Sequence, residues 1–355
     1  MKNHVSQKAG QFLMVGLSHT SLSQEEEAFL KEVQPKGIVY FRRNVDTPNQ
    51  LIDLARRLRD ILKNPIIAID QEGGPVARLS DPFTVFPSNA KLAQAFEIKR
   101  NLKPIEQKAT WMARELKAVG INCNFTPVVD VLTKPDNPVM KNRTYGSDPH
   151  QVSRLAQSTI ATFEKNHVLS CAKHFPGHGD TLLDSHFDLP SVDTTKQTLF
   201  ARELIPFAGA IKARVPMIMT GHVVFNAIDK GTPATLSSYF LTQVLRKKLK
   251  FKGCIISDDL EMKAIAKHYD MAQACLKSVQ AGCNLTLVCK HMDVAYSCFE
   301  RLAKSMHTQK LQARLKENQK LFAKWHKTYL IERPLRKRKI WAWSSHDPQK
   351  LTKTL

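Results

Sequence analysis

Eight short apolar runs, rich in β-branched residues, recur along the chain: QFLMVGL (11–17), KGIVYF (36–41), PIIAID (65–70), NFTPVVDV (124–131), LSCAKHF (169–175), VPMIMTGH (215–222), GCIISDD (253–259) and NLTLVC (284–289). Runs of this length predict strands, and their near-continuous apolarity predicts burial on both faces, as in a parallel sheet. Between them NQLIDLARRLRDIL (49–62), KATWMARELKAVG (108–120), PHQVSRLAQSTIATFEKN (149–166) and AQACLKSVQAG (272–282) carry apolar residues three and four apart, the helical spacing. Asp46 and Thr47 ahead of Pro48 open one helix, and Gly120 closes another. Beyond residue 300, RLAKSMHTQKLQARLKENQKLFAKWHKTYL reads as one long basic helix on or beside the preceding domain.

Eight strand–helix pairs predict an α/β chain and a (β/α)8 TIM barrel, although a doubly wound sheet would present a similar series. The polar residues favour the barrel. Asp70, Asp130, Lys173 with His174, His222 and Asp258 each fall at the C-terminal end of a different strand, where barrel enzymes gather their chemistry. One aspartate after one strand would be an ordinary turn or cap residue; five coincidences are harder to explain that way. The expected organisation is a barrel domain over 1–300, a basic helix over 301–332 and a basic tail over 333–355.

Composition alters little. An apolar fraction of 43% with 24% charged residues is that of a folded globular chain. The N-terminal MKNHVSQKAGQFLMVGLSH has no cleavage signal and no run long enough to span a bilayer, which predicts a cytoplasmic protein. The seven cysteines (Cys123, Cys171, Cys254, Cys275, Cys283, Cys289 and Cys298) form no C-x-x-C pair and lie mostly in apolar stretches, so they read as reduced core thiols. The net charge of +21 is concentrated at one end: from Arg301 onward there are 15 Lys and Arg against three acids. A nucleic-acid partner is not required. The basic tail, with Trp341 and Trp343, leaves open a weak contact with an anionic surface, beside the plainer reading of a solvated helix face.

The densest chemistry lies in KHFPGHGDTLLDSHFD (173–188). Gly177 and Gly179 predict a segment with the backbone latitude to close over a ligand. Asp184 and His186 stand two apart, and a carboxylate beside an imidazole raises its pKa toward that of a usable general acid. The alternative is a metal site built from His174, His178, Asp180 and His186, but the spacing spans a proline and two glycines and matches no ligand motif. In SDDLEM (257–262) one of two adjacent carboxylates can face the barrel axis as a nucleophile or charge stabiliser while the other caps the next helix. DQEGGPVAR (70–78) lacks the spacing of either nucleotide-binding glycine motif.

In this order and spacing, DQEGG, NFTPVVDV, NRTYG, KHFPGHGDTLLDSH and SDDLEM resemble glycoside hydrolase family 3, specifically its single-domain bacterial β-N-acetylglucosaminidases of cell-wall recycling, over residues 8 to 300. The resemblance implies that Asp258 is the nucleophile of a retaining reaction through a covalent glycosyl–enzyme, that His186 is the acid/base, and that Asp184 tunes it. It implies that Asp70, Arg78, Arg143, Lys173 and His174 hold the hydroxyls and acetamido group of a terminal GlcNAc. The implied substrate is a peptidoglycan fragment, with no cofactor and no metal. Pro75 stands where the family often has arginine, Thr144-Tyr145 replaces the commoner Ser-Phe, and Asn226 replaces a frequent proline after GHVVF. A metal-dependent barrel hydrolase and a non-catalytic basic binding protein are the alternatives from other classes.

Overall fold

In a computed structural model that describes residues 8–181 and 189–330, eight parallel strands close on one another: β1 (Leu13–Gly16), β2 (Gly37–Tyr40), β3 (Ile66–Ile69), β4 (Cys123–Asn124), β5 (Leu169–Phe175), β6 (Met217–Thr220), β7 (Cys254–Asp259) and β8 (Leu285–Val288). Each strand pairs with its neighbours in chain order, and β8 returns to β1 through the register Leu13↔Thr286. The protein is a (β/α)8 barrel. Every strand is buried on both faces, which is why the apolar runs are continuous rather than alternating.

Period-two geometry still sorts the side chains. Met14, Val39, Ala68, Cys171, Met217, Cys254 and Leu285 pack in the barrel interior, while Leu13, Val15, Ile38, Ile67 and Ile69 pack outward against the helices. All seven cysteines are buried and unpaired. NFTPVVDV departs from its expected span, because only Cys123–Asn124 join the ladder. Pro127 has no N–H to donate, and pairing resumes only as the isolated bridge Val128↔Lys173.

The helices around the barrel are α1 (Gln24–Val33), α2 (Pro48–Ile61), α3 (Asn89–Lys99), α4 (Lys103–Ala118), α5 (Pro149–Lys165), α6 (Leu204–Lys212), α7 (Met271–Ala281) and α8 (Met292–Ser305), with a π-wound helix over Tyr239–Lys248 between β6 and β7. Local chemistry sets their starts. Ser23 and Glu26 cap α1 reciprocally, and Thr47 accepts the Gln50 N–H ahead of Pro48. The expected single helix beyond residue 300 is instead two, since α8 ends at Ser305 and α9 (Gln309–Thr328) begins after a turn at Met306–Thr308.

α9 lies across the N-terminal end of the barrel. Its Phe322 and Trp325, with Leu330 just beyond, join the interior cluster of Met14, Ile66, Leu169 and Leu285. Asn318 exchanges two hydrogen bonds of 2.8 Å with the side chain and carbonyl of Asn284, just ahead of β8. The floor of the barrel is thereby closed by this helix, which leaves the opposite mouth as the accessible end.

Candidate active site

The strands deliver their last residues to a cavity of about 360 Å³ at the C-terminal mouth. Asp70, Arg78, Arg143, Lys173, His174 and Asp258 all line it, beside Phe41, Phe125, Met140, Met219, Met262 and Leu287. Six residues singled out in the sequence thus converge on one space from three strands and two loops. Asp184 and His186 lie outside the described residues.

Four charges form a chain, with Asp70, Lys173 and Arg143 on one wall of the cavity and Glu72 enclosed behind it. Lys173 Nζ donates to Asp70 Oδ1 at 2.6 Å and lies 2.7 Å from Glu72 Oε1. Arg143 grips Glu72 with two parallel bonds, Nε to Oε2 at 2.9 Å and Nη2 to Oε1 at 2.8 Å. Burial alone would raise the Glu72 pKa, but Lys173 and Arg143 outweigh it and hold the carboxyl well below the usual range. For Lys173, burial favours the neutral amine, and Asp70 and Glu72 reverse that and keep it charged. The more open Arg78 reaches Asp70 Oδ2 at 3.5 Å, and its buried Nε has no partner among the described residues. A row of fixed, alternating charges of this kind can donate to and accept from several hydroxyls at once.

Sequence reasoning missed Glu72. It sits three residues past the strand end, on the hairpin Gln71–Gly73/Val76–Ala77, and its side chain is fully enclosed. The only signal was an acid placed within the same motif as Asp70.

A second cluster fixes the root of the histidine-rich segment. Asp130 accepts the backbone N–H of His174 and of His178, the latter at 2.7 Å, and pairs with His174 Nδ1 at 2.8 Å. Burial opposes its charge, yet these bonds and the His174 ring keep its pKa below the ordinary value. The bond at Nδ1 orients the His174 ring and leaves Nε2 as its other functional edge. His178 is buried against Thr181, whose hydroxyl lies 2.9 Å from Nδ1, and burial beside His174 pushes its pKa down to about 4. Asp180 turns away to Thr133, Thr194 and Arg202. No group of three or more His, Cys, Asp or Glu among the described residues is arranged to hold a metal ion.

Gly179 has a tighter reason than latitude. A Cβ there would fall 1.6 Å from the Val131 carbonyl oxygen, so the segment must pass that close.

The two adjacent carboxyls of SDDLEM, Asp258 and Asp259, are driven apart in pKa. Burial would raise the Asp258 pKa, but the His174 and His222 rings, the Asp259 N–H at 2.8 Å and Lys173 lower it, so the group is held as a carboxylate. Asp259 is pushed up to about 7 by burial, with Glu261 and Asp258 adding to the rise, and its Oδ1 accepts the Glu261 and Cys289 N–H groups. His222 is locked between Thr235 and the Asp259 carbonyl. An anionic carboxylate at a strand end, in a cavity walled by charges able to bond hydroxyls and by apolar side chains, is a layout that can serve hydrolysis of a polyhydroxylated ligand.

The profile of the glycosyl hydrolase family 3 N terminal domain matches residues 4–320, and the chain belongs to that family. A β-hexosaminidase from Alkalilimnicola ehrlichii is 35% identical over 293 residues, which are 82% of this chain and 84% of that protein. A family 3 β-N-acetylglucosaminidase structure from Paenibacillus sp. str. FPU-7 superposes with a TM-score of 0.91 at 31% identity, covering 98% of this chain and 68% of that one. The NagZ structure from Neisseria gonorrhoeae in complex with N-trifluoroacetyl-D-glucosamine gives a TM-score of 0.76 at 31% identity, covering 87% and 97%. The chain is a glycoside hydrolase and groups with the β-hexosaminidases of the family.

Proposed function

We propose that this protein is an exo-β-N-acetylglucosaminidase that releases terminal GlcNAc from peptidoglycan fragments by a retaining, two-step reaction. Asp258 attacks the anomeric carbon and forms a glycosyl ester. His186, tuned by Asp184, protonates the departing oxygen and then activates the water that cleaves the ester. The observation that carries this reading is the Asp258 carboxylate, held anionic in the same cavity as Asp70, Lys173 and Arg143, which the enclosed Glu72 ties together from behind. The cavity lies at the small end of the ~300–1,000 Å³ range of ligand sites, which suits one terminal sugar better than an extended chain.

An imidazole acid has an electrostatic merit here. The lactyl carboxylate of a muramic acid beside the scissile bond would attract an imidazolium and repel a second carboxylate. Faster turnover of substrates bearing that carboxylate than of matched neutral ones supports the argument; equal rates remove it.

The direct test is turnover of an aryl β-GlcNAc by wild type and by Asp258→Ala, followed by mass analysis of peptides after reaction with a fluorinated GlcNAc donor. Label on the peptide carrying residue 258 supports the covalent route. An unlabelled but active enzyme points to attack by the substrate's own acetamido oxygen instead. His186→Ala should lose less activity on an activated aryl leaving group than on a sugar leaving group, and equal losses would remove His186 as the acid. Fragments of this kind would be met in the cytoplasm, the compartment expected for this chain.

A further inference from the structure

Charge is distributed unevenly along the barrel axis. The helix ends and loops that lead into β2 through β8 (34–36, 62–65, 117–122, 165–168, 212–216, 246–253 and 282–284) hold eleven Lys and Arg, and the acids nearest to them are Glu32, Asp60 and Glu164, each one residue short of its helix end. α9, lying across the same end, adds six cations against Glu317 alone. At the cavity end, the described loops (17–23, 41–47, 70–88, 125–148, 176–181, 189–203, 221–238, 258–270 and 289–291) hold twelve cations and fifteen acids. One end is therefore close to neutral and the other strongly basic.

Helix C-termini attract cations through the backbone dipole, which explains part of the loop charge. It does not explain α9. Lys316, Lys320 and Lys324 form an exposed stripe at spacings of four along the middle of that helix, on the side turned away from Phe322 and Trp325. Thirteen of the seventeen cations of this end are solvent-exposed. After Leu330 the sequence continues as IERPLRKRKIWAW, adding more positive charge and two tryptophans.

We propose that this basic end docks on an anionic lipid surface, which leaves the cavity mouth facing solution. The residue types favour lipid over nucleic acid. Fourteen of the seventeen cations are lysines, point charges suited to a diffuse layer of headgroups, where arginine forks would suit individual phosphates. No Phe, Tyr or Trp ring of this end is fully exposed among the described residues to stack a base, since Phe251, Phe322 and Trp325 are buried and Tyr329 is half-buried. Tryptophan beside a polybasic run is a composition that partitions to the headgroup level. No helix among the described residues is long and apolar enough to cross a membrane, so the contact is peripheral.

The test is co-sedimentation of the full chain with vesicles of phosphatidylcholine, with and without phosphatidylglycerol. Binding should require the anionic lipid and weaken steeply with added salt. A triple variant, Lys316→Gln, Lys320→Gln and Lys324→Gln, should lose roughly 100-fold in affinity, from about 1 kcal/mol per lysine at such a surface, while melting at the wild-type temperature. Equal sedimentation with neutral vesicles overturns the proposal. So does unchanged affinity of the folded triple variant, or binding of single-stranded RNA by a chain that ignores anionic vesicles.

Discussion

Replacing Glu203 by Gln should change how the stability of this protein depends on pH. Glu203 ends the wide helical turn Leu199–Glu203 that leads into α6, and it is 2% exposed. Its Oε1 accepts Arg202 Nε at 2.6 Å, and its Oε2 has no partner among the described residues. It presses on the root of the histidine-rich segment, since a Cβ on Gly177 would come within 2.7 Å of that unpaired oxygen. Burial pushes its pKa up from 4.5 to about 7, against the pull of Arg202 and with help from Asp130 and Asp180.

A carboxyl whose pKa is raised on folding contributes stability below the unfolded pKa and loses it as pH rises toward the folded one. Between pH 4.5 and about 7 the unfolded chain has released this proton while the folded chain retains it. The unfolding free energy should therefore fall by about 1.4 kcal/mol per pH unit on account of this group, roughly 3 kcal/mol across the window. Glutamine cannot ionise, so the variant should lack that slope. Asp259, raised in the same direction, is common to both proteins and cancels in the difference. Urea unfolding of wild type and Glu203→Gln from about pH 5 to about pH 8 measures it, with the variant gaining steadily on wild type as pH rises. Parallel curves across that range would show that Glu203 is ionised in the folded protein and would refute the reasoning from burial.

Lys173→Met leaves Asp70 and Glu72 facing each other without the cation between them, and should cost about 3–5 kcal/mol of unfolding free energy by urea titration; a loss under about 1 kcal/mol would show that the row is not a coupled unit. Gly179→Ala forces the segment off the Val131 carbonyl and should lower kcat by at least about 10-fold, whereas Gly231→Ala, with open space but φ +72°, should cost about 1 kcal/mol and leave turnover intact. Comparable kinetics in the two alanine variants would count against the close approach at Gly179. Asn318→Ala strands the Asn284 amide under α9 and should lower stability by about 1–3 kcal/mol, read as an earlier urea midpoint; an unchanged midpoint would mean that the apolar seat of Phe322 and Trp325 suffices alone.

The barrel was legible because its strands are buried twice over: Leu13 and Met14, or Ile67 and Ala68, face opposite ways yet both meet apolar surroundings, so the sequence shows unbroken runs that stand out from amphipathic helices. Asp70, Lys173, His174 and Asp258 were legible for a related reason, since a charged or polar residue ending such a run has only the barrel mouth in which to find polar partners. Glu72 broke that logic by leaving its strand for a hairpin, where an acid is locally indistinguishable from a turn residue, and only the fold brings Lys173 and Arg143 to it. Asp130 was visible at its strand end, but its grip on two histidines depends on β4 and β5 lying side by side. The apolar stripe of α9 said that one face is buried without saying against what, because a helix pattern carries period and polarity but no address. That missing address matters for charge as well as packing. Lysines that read as an ordinary solvated face along the chain become a single basic surface only when α9 lies across the ends of seven other loops.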